Sequence, residues 1–266
     1  MKKIKVLNLY AGIGGNRKLW KNVDVTAIES DENIANIYKE NFPEDEVIVG
    51  DAHQFLLEHY KEFDFIWSSP PCQTHSKLRK IGVAVGRTKP KFPNMELYEE
   101  IIFLKHHFKG KWVVENVNGY YEPLIKPRKL NRHYFWMNFD VGEIKIETTG
   151  IHARTTKSVK LEREKLQEIT GFNLSNLTLL RNCVNPKLGL HIFESAYKEP
   201  KQKLLSVSPT SKTKSSNEDF PNGEHNISLK ESSNEDSQIS SNDETSLNNN
   251  IKRNFSFGSL AGSNSR

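Results

Sequence analysis

The 266-residue chain carries only two cysteines, Cys72 and Cys183. Two thiols exclude a disulfide framework and a four-thiolate metal site. The nine histidines show no metal-ligand spacing, so no metal is expected. No apolar run approaches the roughly 20 residues that a membrane helix needs. The first residues also lack the apolar core of a secretion signal. These absences lead us to expect a reduced, intracellular setting and no membrane partner. No internal repeat is present. Charge of neither sign dominates: 38 Lys and Arg stand against 33 Asp and Glu, for a net +5. Residues 201–266 hold eight of each sign, so the excess lies in residues 1–200, with 30 basic against 25 acidic. A modest basic excess on a folded body suits a polyanionic partner without requiring one.

Residues 201–266 have few large apolar side chains and hold 16 Ser and 10 Asn. Such a composition buries too little surface to offset its ordering entropy, so the segment reads as a disordered tail. That leaves one domain over residues 1–200. Within it, strand-like runs at Ile4–Tyr10, Val23–Ile28, Val47–Val49, Phe63–Trp67 and Lys111–Val114 alternate with helical patterns. The helices are expected up to Trp20 and at Asp31–Asn41, His53–His59 and Met95–Phe108. This rhythm predicts an α/β fold with a mostly parallel, doubly wound sheet. His133–Phe139 reads as an aromatic strand; Lys160–Ile169 and Val184–Tyr197 read as helices. Pro70–Pro93 shows no period and is rich in Lys, Arg and Gly, so it reads as a long basic loop of functional character.

Four local patterns carry chemistry. After the first strand, Tyr10-Ala11-Gly12-Ile13-Gly14-Gly15 lets the backbone turn sharply and approach a cofactor. Glu29 ends the second strand, where a carboxylate can hydrogen-bond ribose hydroxyls, and Asp51 follows the third, where one could meet an adenine amino group. After the fourth strand, two prolines fix the backbone before Cys72 in Ser68-Ser69-Pro70-Pro71-Cys72-Gln73. A nucleophilic thiolate needs positive charge nearby, and His75, Lys77, Arg79 and Lys80 follow closely. Glu115, in Val113-Val114-Glu115-Asn116-Val117, ends the fifth strand and suits a general acid.

Together these segments resemble the DNA cytosine-C5 methyltransferase family across roughly residues 4–198. The Tyr10–Gly15 turn is similar to that family's Phe-x-Gly-x-Gly, with Tyr for Phe. Pro71-Cys72-Gln73 is similar to its Pro-Cys-Gln, and Glu115-Asn116-Val117 to its Glu-Asn-Val. Arg181-Asn182-Cys183-Val184-Asn185-Pro186 resembles its last motif, usually Gly-Asn-x-Val-x-Pro. The resemblance implies a class I methyltransferase fold with S-adenosylmethionine as cofactor and double-stranded DNA as partner. It implies that Tyr10, Gly12, Gly14, Glu29, Asp51, Pro71 and Asn182 line the cofactor pocket, with Leu97 as part of its wall. It also makes Cys72 the nucleophile, Glu115 the acid at ring N3, and Arg132 the contact to a cytosine flipped from the stack. Gln73, Asn116, Lys77, Arg79 and Lys80 are expected to meet the nucleic acid.

The departures are informative. Arg128-Lys129-Leu130-Asn131-Arg132 keeps only the last arginine of the family's Gln-x-Arg-x-Arg. Only about 40 residues separate Phe139 from Leu180, where the family usually holds a target-recognition domain. This short insert (His152, Arg154, Lys157, Lys160, Arg163) has charge enough to touch phosphate. Target choice is therefore expected from the Pro70–Pro93 loop, from the insert, or from a second subunit. An RNA cytosine-C5 methyltransferase is the alternative substrate reading.

Overall fold

The structure is a computed structural model that describes residues 2–150 and 155–198. The expected disordered tail, and His152 and Arg154 of the insert, lie outside the described residues. Seven strands form one sheet in the order β3-β2-β1-β4-β5-β7-β6. They are β1 Ile4–Leu9, β2 Val23–Glu29, β3 Glu46–Val49, β4 Phe65–Ser68, β5 Lys111–Val117, β6 Arg128–Leu130 and β7 His133–Met137. The first five are parallel; β7 runs antiparallel to β5, and β6 antiparallel to β7. The mostly parallel, doubly wound sheet expected from the sequence is thus the sheet that forms.

Alternation along each strand divides the core between the two faces. Val6, Phe65, Trp67, Val113 and Phe135 point to one side, where they join Trp20, Leu188, Ile192 and Phe193. Leu7, Leu9, Ile66, Trp112 and Val114 point to the other, against Leu56, Leu97, Ile101 and Leu104. That second layer is built by helices α2 (Ala52–His59) and α4 (Glu96–His107); α1 (Glu32–Asn41) instead packs its Tyr38 with Ala11 and Ala27, and α3 (Lys77–Ala84) buries no residue. Helices α5 (Thr156–Thr170), α6 (Leu177–Asn182) and α7 (Pro186–Ser195) close the described chain. Among the described residues, no helix is long and apolar enough to cross a membrane.

Several boundaries differ from the sequence reading. The segment before Trp20 is a chain of four-residue turns, not a helix: Gly14 N–H donates to the Ala11 carbonyl, Lys18 to Gly15 and Trp20 to Arg17. Tertiary bonds override local propensity here. Arg17 grips Asp45 through two nitrogens at 2.8 and 2.9 Å, and Trp20 stacks on Phe193 while donating to the Gly189 carbonyl. The supposed single helix at 184–197 is shorter, because Asn185 caps it and Pro186 starts it. The helix expected at 160–169 begins earlier, at a capping box between Thr155 and Ser158. Finally, the basic loop contains α3. Its apolar residues Leu78, Ile81 and Val85 are exposed, so no buried stripe marks its period.

Arg181, which stands where the family usually has glycine, turns out to fasten the insert. Its Nε and Nη2 donate to the two oxygens of the buried Glu162 on α5, at 2.9 and 2.6 Å. Arg181→Ala leaves a buried carboxylate unpaired and should lower unfolding stability by about 1–2 kcal/mol, measured by chemical denaturation. A midpoint equal to that of the parent would show that α5 is held by other contacts.

Candidate active site

Parallel strands deliver their C-terminal ends to one edge of the sheet. Leu9 is level with Ile28 and with Ser68, Ser68 with Val114, and Glu29 with Val49. The glycine turn, Glu29, Asp51, Cys72 and Glu115 therefore emerge along one line, though they are far apart in the chain. That edge is where open α/β sheets bind ligands.

Beyond β4, Ser69 N–H donates to the Leu9 carbonyl at 3.3 Å, and the Cys72 carbonyl accepts from His75 and Ser76, both at 3.0 Å. This tight turn half-buries the Cys72 thiol and feeds α3, whose cap is Ser76. The neighbouring strand holds the loop in place. The buried Asn116 donates Nδ2–H to the Pro70 carbonyl at 2.9 Å, and its Oδ1 accepts from Val117 N–H. Asn116 was expected among the nucleic-acid contacts. Both ends of its amide are instead used to lock the cysteine loop to β5.

The electrostatics around the thiol also depart from expectation. Burial, and after it the Glu115 carboxylate, push the Cys72 pKa up; a backbone hydrogen bond opposes them. The basic residues that follow do not surround the sulfur with charge. His75 is buried, its Nδ1 paired with the Tyr121 hydroxyl at 2.6 Å, and burial lowers its pKa. Arg79 donates to the Lys89 carbonyl within its own loop, and Lys80 lies over the Tyr120 ring at 5.6 Å. Lys77 and Gln73 are exposed.

Glu115 is buried and hydrogen-bonded to His133 Nδ1. The antiparallel β5–β7 register sets Val117 opposite His133 and Glu115 opposite Phe135, so the pair is a diagonal contact across strands. The sequence reading missed His133. The usable signal was the antiparallel return of the aromatic strand onto β5, which no local pattern announces. Arg132, one residue earlier, is exposed in the β6–β7 turn beside Asn131 (φ +55°), and its carbonyl accepts from Asn118 N–H at 3.4 Å.

On the cofactor side, Gly12 and Gly14 have φ of +56° and +82°, backbone that L side chains rarely adopt. A Cβ on Gly12 would meet nothing within 4 Å, so the turn opens onto free space. Glu29 Oε2 accepts the Gly12 N–H at 2.9 Å and Oε1 accepts from Asp31 N–H, so the carboxylate shapes the turn directly. Asp51 caps α2 through Gln54 N–H. Behind the turn stands the last motif: a Cβ on Gly15 would lie 2.2 Å from Cys183 Sγ and 2.4 Å from the Val184 carbonyl. Cys183 and Val184, rather than the exposed Asn182, make that contact, and burial pushes the Cys183 thiol up to about 12. Pro71 is exposed at the loop's mouth, while Leu97 is buried in the core beneath it.

Residues 4–132, which hold the glycine turn, both carboxylates, Cys72 and Glu115, match the family described as C-5 cytosine-specific DNA methylase. Residues 4–132 form a domain of that family. The chain is 27% identical over 128 residues to a human tRNA (cytosine(38)-C(5))-methyltransferase, covering 45% of the chain and 32% of the relative. It is 35% identical over 83 residues to the protein of that name from Spodoptera frugiperda, covering 29% and 25%. The match thus spans about a third or less of those curated relatives. Among solved structures, a Spodoptera frugiperda DNMT2 mutant aligns at 26% identity and a TM-score of 0.33, over 44% of this chain and 37% of that one. A SAM-dependent methyltransferase from Agrobacterium tumefaciens aligns at 15% identity and a TM-score of 0.31, over 45% and 40%.

S-adenosylmethionine is the cofactor of this methylase family. The residues present fit it. The positive-φ turn opens onto space, and carboxylates stand at the ends of β2 and just past β3 as acceptors for ribose hydroxyls and an amino group.

Proposed function

We propose that this chain transfers a methyl group from S-adenosylmethionine to carbon 5 of cytosine in DNA. The observation that carries the reading is the pairing of β4 with β5, level at Ser68 and Val114, which brings the Cys72 loop and Glu115 to adjoining strand ends. Tyr10, Gly12, Gly14, Glu29 and Asp51 would hold the cofactor, with Pro71, Leu97 and Asn182 nearby. When bound, the cofactor supplies an electrophilic methyl group.

Carbon 5 of cytosine is a weak nucleophile. The Cys72 sulfur, having given its proton to solvent, bonds to carbon 6, and the ring electrons move toward N3. Glu115, protonated from solvent in the bound complex, delivers that proton at N3, so the ring does not accumulate negative charge and carbon 5 becomes enamine-like. His133, bonded to the same carboxyl, orients it and stabilises its charge once the proton has left. Arg132 is assigned to the O2 edge of the base. After methylation at carbon 5, the carbon 5 proton passes to solvent, the Cys72 thiolate leaves, and the N3 proton returns to Glu115, which restores the aromatic ring. The raised thiol pKa has a place in this scheme. The carboxylate that opposes the thiolate in the free protein loses that effect when it is protonated, so sulfur attack and proton delivery are linked.

The target base must leave a duplex stack to reach a half-buried thiol. Exposed Lys77, Lys80, Arg87, Lys89 and Lys91, on and after α3, suit the flanking phosphates. The relatives' names favour a second reading, transfer RNA as the polymer. Transfer of labelled methyl by the purified full chain to duplex DNA and to tRNA separates the two. Label in DNA supports the proposal, and label in tRNA alone replaces the polymer. Label in neither, restored by adding a second chain, would assign target recognition to a partner subunit.

A further inference from the structure

Helix α4 carries one carboxylate where its other inward residues, Leu97, Ile101 and Leu104, are apolar. Glu100 is fully buried. Its Oε1 accepts from the Tyr10 hydroxyl at 2.6 Å and faces His53 Nδ1 at 3.2 Å; its Oε2 accepts from the Ser68 hydroxyl. Burying a carboxylate is costly unless such donors surround it, and charge-assisted bonds are the strong kind. The three donors come from three parts of the site. Tyr10 opens the cofactor turn. Ser68 ends β4, four residues before Cys72. His53 lies two residues past Asp51 in α2. A phenylalanine at position 10, as in the resembled family, would offer Glu100 no hydroxyl.

We infer that Glu100 is a positioning residue that joins the cofactor turn to the strand bearing the nucleophile, with His53 supplying the countercharge. The inference rests on the reading that the Tyr10 turn holds S-adenosylmethionine. Through Glu100, displacement of the Tyr10 ring is coupled to displacement of Ser68 and therefore to the start of the cysteine loop. His53 faces Glu100, Glu99 (3.6 Å) and Glu96 from α4. The hydrogen bond to Glu100, set against burial, raises the His53 pKa. A raised histidine stabilises the fold fully below its unfolded value of about 6.5, and that contribution is lost as pH climbs through the folded value.

The test uses the full chain and S-adenosylhomocysteine as the calorimetric probe, with the parent, Tyr10→Phe, Glu100→Gln and the double variant. Each single change should weaken binding about tenfold, and the double variant should be no weaker than Glu100→Gln. Thermal unfolding of the free chain between pH 6 and 8 gives an independent readout. The parent midpoint should fall with pH by more than that of His53→Gln. A parent that fails to bind the probe removes the cofactor reading and this inference with it. A parent that binds, with Tyr10→Phe binding equally well or with the two losses multiplying, overturns the inference alone. Should Glu100→Gln not fold, Tyr10→Phe decides the matter, since it removes a single hydroxyl.

Discussion

Glu115→Gln should slow methyl transfer by about 10²–10⁴-fold, the usual worth of a positioned proton donor, while making Cys72 more reactive toward an alkylating agent. The two effects have opposite signs because the carboxylate has two effects on the sulfur. As an anion it helps hold the thiol pKa up, second only to burial. In the proposed mechanism it also delivers, as an acid, the proton that lets the ring accept the sulfur. The amide removes the first effect, so the thiol pKa falls part of the way back and the thiolate fraction near pH 8 increases. It also removes the second, so turnover collapses although the nucleophile is better ionised. Iodoacetamide labelling of Cys72, followed across pH beside the methylation rate, separates the two. If alkylation and methylation both slow, Glu115 acts through structure alone. His133→Ala should move the same way as Glu115→Gln in methylation, by a smaller factor, because it only orients the acid.

Cys72→Ser should reduce methyl transfer by at least about 10³-fold, as expected when a covalent nucleophile is lost from a site whose members act as a unit. A serine hydroxyl is a far weaker acid than the thiol, and among the described residues no base is hydrogen-bonded to the Cys72 side chain to activate it. Glu115 lies within electrostatic reach but is committed to His133. S-adenosylhomocysteine binding should persist, because the cofactor turn is built on β1 and β2 and not on the cysteine loop. Retained binding with lost turnover places the defect in the chemical step. A variant that still methylates rapidly would mean that the ring is attacked by something else.

The fold was legible because its signals are local. Buried strands read as apolar runs, and their turns carry glycine or proline; Ile4–Leu9 and Phe65–Ser68 are examples. The site was half legible for the same reason. Cys72 and Glu115 are marked by motif and by strand ends, which the parallel sheet brings to one edge. What stayed hidden depends on long-range packing. Glu100 looks like one more acid in Glu-Glu-Ile-Ile on an amphipathic helix, and only the assembled fold shows it fully buried under Tyr10. Asn116 and Arg79 looked like ligand contacts because polar residues near a nucleophile usually are, yet their hydrogen bonds are spent on the protein's own loops. Helix α3 escaped because periodicity reports burial, and α3 buries nothing.

The most direct measurement is the mass of the chain after incubation with S-adenosylmethionine and a duplex containing 5-fluorocytosine. Fluorine cannot leave carbon 5 as a proton does, so the sulfur–carbon 6 bond should persist. The mechanism predicts a denaturant-stable adduct that peptide mapping assigns to Cys72 and that Cys72→Ser does not form. Methylation of ordinary cytosine by the same preparation, with no adduct at any residue on the fluorinated duplex, would contradict it.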